Sequence, residues 1–544
     1  MRTIRALLAG MGISAVLLSG SVNAATTQAD TIVKTDHGKV RGVIQNGVRE
    51  FKGIPYAAPP VGDLRWVEPQ PLKPWTGVLD ATKYGSACPQ LGRYGLTEAS
   101  ETEDCLHINV TAPYSGKREP NHKRPVIVWI HGGGFVGGSS ALYPLDTMAK
   151  SGDAVVVSLN YRVGVFGFMP HPGFGKAHNG GYGLEDQRAA MRWVKRNIAA
   201  FGGDPNNITL AAESAGASSV CMHIVAPKET TGLFNKAIIQ SGGCAHQLKS
   251  VAESSATGTT VAAKVGCLDA ATAPACMRTK PVNDLLNAAT EAMGSNLMTY
   301  APSFGTDTVP LQPSVAIDSG QIVKVPMING GNRDELRLYV AYAVQGGDVI
   351  NAGNYSAHLE SEYGKDKVDD VLAEYPLENY SSPPVALAAA TSDFTLKNGL
   401  NNCIYLQGGK SLAKHVDVYE YVFADANAPP VTEDPGFEMG AVHSAELPYQ
   451  FPHFSNTTKL DGPDLAPASQ RLADQMMAYW TSFAKTGKPS APNSPHWNKF
   501  TADKMVLQFE PGKVGYFDAS DQHKCGFWKK QYPDILTKIV DPTK

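Results

Sequence analysis

The chain has 544 residues, 43% hydrophobic and 18% charged, with a formal net charge of −3. That is enough apolar material for one large α/β core with insertions, and it excludes a disordered or fibrous chain. The near-neutral balance, with no basic run, argues against nucleic acid as a partner. At the N-terminus, Arg2 and Arg5 precede a mostly apolar stretch from Ala6 to Leu18, and Val22-Asn23-Ala24 supplies small residues for cleavage. This pattern predicts an export signal over residues 1–24 and a mature chain starting at Ala25 in the periplasm or outside the cell. The apolar run is too short to span a bilayer and no later segment reaches about 18 apolar residues, so no integral membrane segment is expected.

Strand-like runs then recur with helical stretches between them: Val126 to Ile130, Ala154 to Ser158, Ile208 to Ala211, Lys236 to Gln240 and Val325 to Asn329. Near-continuous apolar strands of this kind indicate a mostly parallel sheet covered on both faces, an α/β fold. Val418 to Phe423 and Met505 to Phe509 extend the same sheet. Helical spacing appears at Ala190, Trp193, Val194 and Ile198, and again at Leu472, Met476, Tyr479, Trp480 and Phe483, which read as core. Residues 250–300 and 340–401 are helix-prone and poor in strands, and are read as insertions in a single catalytic domain over 25–544.

Two stretches at strand ends carry chemistry. After Val126 to Ile130 comes His131-Gly132-Gly133-Gly134-Phe135, whose glycines can turn N–H groups inward without a Cβ penalty. After Ile208 to Ala211 comes Ala212-Glu213-Ser214-Ala215-Gly216, followed by a helix-competent segment. A strand, a tight turn bearing Ser214 and a helix form the context in which a serine hydroxyl is presented as a nucleophile. Together the glycine loop and the Ala215 N–H make the expected oxyanion hole.

A serine needs a histidine base, itself oriented by a carboxylate, and in parallel-sheet hydrolases the chain order is Ser, acid, His. The acid candidates are the neighbours Asp334 and Glu335, which spacing alone does not separate. His443, in a loop opened by Gly440, is the best base among the later histidines. Glu213, Ser241 and Glu446 are candidates to support the site from behind. The eight cysteines suit an oxidising compartment, and the absence of a C-x-x-C pair leaves a metal site without support.

These ordered segments, with Phe51 to Tyr56, Glu103 to Leu106, Asn160-Tyr161-Arg162 and Asp186-Gln187, resemble the type B carboxylesterases, the family of the cholinesterases and bacterial para-nitrobenzyl esterases. The resemblance implies an α/β-hydrolase fold, a triad of Ser214, Glu335 and His443, and a hole formed by the N–H groups of Gly133, Gly134 and Ala215. It also implies disulfides Cys88 to Cys105, Cys267 to Cys276 and Cys403 to Cys525. Cys221 and Cys244 match none of these and are read as free, or bonded only if the fold brings them within reach.

The chain departs from the family in two places. Ala212 stands where glycine is usual, so the elbow must absorb a methyl group. The segment Pro89 to Asp104 lacks the tryptophan with which cholinesterases hold a quaternary ammonium, which speaks against a choline ester. The expected activity is hydrolysis of a small-molecule carboxylic ester through an acyl-enzyme, with no cofactor. A lipase or amidase on the same triad, or a non-catalytic adhesion protein of the same fold, are the alternatives. Arg333 and Arg337 beside the acid loop are read as structural ion pairs rather than as contacts for an anionic substrate.

Overall fold

The computed structural model describes residues 30–536 except 93–98, 117, 118, 120, 121, 295 and 458, so the export signal expected over residues 1–24 lies outside the described residues. Its strands are, in chain order, β1 (Ile32–Lys34), β2 (Lys39–Arg41), β3 (Val43–Gln45), β4 (Val48–Pro55), β5 (Val78–Asp80), β6 (His107–Pro113), β7 (Arg124–Ile130), β8 (Val155–Leu159), β9 (Gly203–Glu213), β10 (Lys236–Gln240), β11 (Met327–Asn332), β12 (Val418–Phe423), β13 (Val506–Phe509) and β14 (Gly515–Phe517). Strands β1, β2 and β5 form a small separate sheet, and the other eleven a single sheet running β14, β13, β12, β11, β10, β9, β7, β8, β6, β4, β3. From β13 to β8 all neighbours are parallel, while β14 at one edge and β6, β4 and β3 at the other pair antiparallel.

The apolar runs form strands because both faces of the sheet are covered. Along β7, Val126, Val128 and Ile130 enter one core layer while Ile127 and Trp129 enter the other, the alternation a pleated strand imposes. The first layer takes Trp193 and Val194 of the helix Tyr182–Asn197, and the second takes Leu472, Met476, Tyr479, Trp480 and Phe483 of the helix Pro467–Thr486. That second helix stops at Gly487, whose φ of 78° is the left-handed cap that glycine adopts without strain. Residues 250–300 carry the helices Val251–Lys264, Ala273–Arg278 and Val282–Met293, and residues 340–401 carry Tyr355–Tyr363, Val368–Glu374 and Pro383–Asp393.

Arg162, directly after β8, is clamped to Asp186 by two hydrogen bonds of 2.7 and 2.8 Å, both side chains being essentially inaccessible. A buried charge of this kind is tolerated only when paired and bonded, which accounts for an arginine and an aspartate inside the core. Four disulfides are present: Cys88–Cys105, Cys267–Cys276, Cys403–Cys525 and Cys221–Cys244. The last closes because the helix Ala215–Ile224 lies against the loop after β10, setting the two Cα atoms 5.2 Å apart. Among the described residues no helix is long and apolar enough to cross a membrane.

Candidate active site

Strand β9 runs into Glu213, and the chain turns at Ser214 before the helix Ala215–Ile224. Ser214 has φ 59° and ψ −128°, a conformation L-residues rarely occupy, and its N–H is held by the Gln240 carbonyl at 2.9 Å. The turn also leaves no room behind it: a Cβ on Gly216 would lie 2.3 Å from the Ile130 carbonyl oxygen. Ala212, by contrast, sits within β9 with its methyl in the core, fully buried. It adopts no positive φ, and the turn accommodates its methyl group.

His443 Nε2 lies 2.8 Å from Ser214 Oγ, and His443 Nδ1 lies 2.6 Å from Glu335 Oε2. Glu335, which is fully buried, also accepts from the Ser241 hydroxyl at 2.5 Å and from the Asn332 N–H at 2.8 Å. A Cβ on Gly331 would meet the Tyr405 ring and the Glu335 carboxylate, so only glycine admits the acid at this depth. The choice between the two acidic neighbours follows from their partners. Asp334 accepts from Arg337 at 2.8 Å, from Arg333 at 2.9 Å and from the Ala441 N–H at 2.9 Å. It thus anchors the histidine loop from outside and absorbs both arginines, while Glu335 faces the imidazole.

Glu213 accepts from the Ser444 hydroxyl at 2.8 Å and lies 3.3 Å from His443 Nε2. Glu446 does not touch His443. Its carboxylate takes the Asn332 amide at 2.6 Å and the Gln240 amide at 3.2 Å, and Gln240 in turn accepts from the Trp480 indole at 2.7 Å. Burial works against charge on His443, but Glu213 and Glu335 outweigh it and raise the imidazole to about 9. Burial likewise raises Glu213, to about 8, reinforced by Glu446 and Glu335 and opposed by His443. The carboxylates around His443 therefore favour its charged, imidazolium form. Asn332, Ser444, Gln240 and Trp480 were not singled out by sequence reasoning; for Ser444 and Asn332 the available signal was their position beside His443 and the acid pair.

The loop after β7 comes alongside because Ile130 pairs with Ala212 across the sheet. It is held by the Tyr161 hydroxyl, which donates to the His131 carbonyl at 2.8 Å, and by the Tyr161 ring stacked 4.3 Å from that of His131. Gly133 and Gly134 have φ of 110° and 62°. Among the described residues no protein acceptor takes the N–H groups of Gly133, Gly134 or Ala215, which leaves them available to a developing oxyanion. Two cavities flank Ser214. One of about 60 Å³ is bounded by Gly133, Tyr143, Glu213, Tyr342 and His443, and the other, of about 590 Å³, by Phe135, Ala215, His246, Met298 and Leu400. Tyr339 stands between them and borders both.

A parallel sheet with a serine elbow at the end of a central strand defines an α/β-hydrolase. The pattern of the Carboxylesterase family matches residues 29–528, and the chain belongs to that family. It is 35% identical over 506 residues to a para-nitrobenzyl esterase of Bacillus subtilis (strain 168), covering 88% of this chain and 95% of the relative. It is 33% identical to a fumonisin B1 esterase of Sphingopyxis macrogoltabida, over 90% of this chain and 88% of the relative, and 31% identical to an acetylcholinesterase of Bungarus fasciatus, over 93% and 87%. Among solved structures, a thermophilic PNB esterase superposes with a TM-score of 0.74 at 31% identity, over 91% of this chain and 99% of the other. The protein is accordingly a carboxylic ester hydrolase acting on small-molecule esters.

Proposed function

We propose that the chain is an exported serine carboxylesterase in which Ser214 is the nucleophile, His443 the general base and acid, and Glu335 the group that orients and charge-balances the imidazole. The observation that carries this reading is the continuous hydrogen-bonded chain Ser214 Oγ to His443 Nε2 at 2.8 Å and His443 Nδ1 to Glu335 at 2.6 Å. His443 takes the Ser214 proton as Oγ bonds to the ester carbon, and the N–H groups of Gly133, Gly134 and Ala215 receive the oxyanion. Collapse of the tetrahedral species breaks the C–O bond, and the alcohol leaves with the proton held by His443. Water repeats the cycle on the acyl-enzyme and releases the acid. Glu213 and Glu446 act as positioning residues, the first through Ser444 and His443, the second through Asn332.

The relatives' names span a nitrobenzyl ester, fumonisin B1 and a choline ester, which supports ester hydrolysis in common and leaves the acid and alcohol to each chain's own pocket. Four disulfides support an oxidising compartment outside the cytoplasm, in keeping with the export signal read in residues 1–24. Ser214→Ala is expected to abolish hydrolysis of a short-chain 4-nitrophenyl ester and labelling by an organophosphonate. Turnover within a few-fold of the native enzyme would overturn the assignment.

A further inference from the structure

The two cavities beside Ser214 are not interchangeable. On the reading above, on which this inference rests, the departing alcohol must be reached by the His443 Nε2 proton. His443 borders only the smaller cavity, so the alcohol leaves on that side and the acyl group lies in the cavity of about 590 Å³ on the Ala215 side. That cavity is bordered by the apolar Phe135, Met298 and Leu400, by Ser218 and His246, and by Asn296, Lys397 and Asn398, of which Asn296 is exposed and the Lys397 side chain 57% exposed.

Those three side chains present donors. The Asn296 side-chain oxygen already accepts from the Met298 N–H at 3.0 Å, and that of Asn398 from the Leu400 N–H at 2.9 Å. Each amide oxygen thus has one of its two acceptor positions taken by the backbone, and among the described residues no protein acceptor takes either NH₂ group. Lys397 adds an ammonium. Its partner Glu362, at 2.6 Å, is itself largely buried, also accepts from Thr395, and does not border the cavity. One N–H of the ammonium is engaged there, and the other two remain available. Side chains that offer an ammonium and two amide NH₂ groups suit an acceptor-only group, which in organic acids is a carboxylate.

We propose that the natural substrate is a half-ester of a dicarboxylic acid. Its free carboxylate is received by Lys397, Asn296 and Asn398, which border the same larger cavity as Ser214, while its ester carbonyl reaches Ser214. The chemistry is otherwise unchanged: Ser214 Oγ bonds to the ester carbon, the alcohol departs with the His443 proton, and water releases the diacid.

The test compares 4-nitrophenyl hemiadipate with 4-nitrophenyl hexanoate, two acyl chains of equal length that differ in the terminal carboxylate, at low salt and at a pH above the acidic limb of the native enzyme's own profile. The native enzyme is expected to show a higher kcat/KM for the hemiadipate. The hemiadipate-to-hexanoate ratio should fall about tenfold in Lys397→Met, the order of one charge-assisted hydrogen bond. It should rise in Glu362→Gln, which frees the ammonium. A native ratio of one or less, or a ratio that Lys397→Met leaves unchanged, overturns the inference while leaving the esterase reading intact. Failure to hydrolyse either ester overturns the esterase reading, and this inference with it.

Discussion

Glu213 shows how a single side chain sets the working range of the base. It lies buried 3.3 Å from His443 Nε2, and it is the first of the groups that raise the imidazole. In the proposed mechanism His443 works as a base only when neutral, so activity should be lost as pH falls through its pKa. Removing the Glu213 charge lowers that pKa, and Glu213→Gln is therefore expected to move the acidic limb of the kcat/KM profile to lower pH. An unmoved limb would mean that Glu213 only packs the site. Asp334 is instructive at the same scale: one residue from Glu335, it is spent on Arg333, Arg337 and the Ala441 N–H. Adjacent residues on a turn face different ways, and which of two acids reaches the histidine is decided by side-chain partners far away in sequence.

At the level of the elements, the elbow depends on how closely the helix Ala215–Ile224 approaches the end of β7. Gly216 is the contact, its missing side chain occupied by the Ile130 and His131 carbonyl oxygens. Gly216→Ala is expected to destabilise the fold by about 1–3 kcal/mol, the usual cost of overpacking, and to depress kcat more than KM because Ala215 N–H is carried out of place. Denaturant midpoints and steady-state kinetics on one preparation separate the two effects. The parallel strands were legible because residues such as Val126 to Ile130 and Val155 to Val157 are buried on both faces and read as unbroken apolar runs. The tight turn at Ser214 and the glycine loop were legible as turns, because small residues directly follow an apolar strand in each case. Strands β3, β4 and β6 were not read as strands, since Val48-Arg49-Glu50 and His107-Ile108-Asn109 mix polar and apolar residues at an antiparallel edge. Nor was the Cys221–Cys244 bond legible, because it depends on where a helix packs and on nothing within either segment.

Across the whole molecule, the disulfides differ most in the length of chain they enclose. Cys267 and Cys276 are 9 residues apart, whereas Cys403 and Cys525 are 122 apart and tie the helix Cys525–Gln531 to the helix Asn402–Ala413. If the bonds act mainly by restricting the unfolded chain, replacing Cys403 and Cys525 together by alanine should cost about 2 kcal/mol more than replacing Cys267 and Cys276. Equal shifts in the urea midpoints would instead place their effect in local native packing. The reacting groups are dispersed on a similar scale: the glycine loop follows β7, Ser214 follows β9, Glu335 follows β11 and His443 follows β12. Their mutual distances are set by the hydrogen-bonded register of the sheet and, for His443, by the bonds that tie its loop to Asp334 and Glu335. Turnover of ester is therefore an all-or-none gauge of assembly, silent in any intermediate whose central strands are only partly zipped, and recovery of activity after denaturation times the last strand to dock.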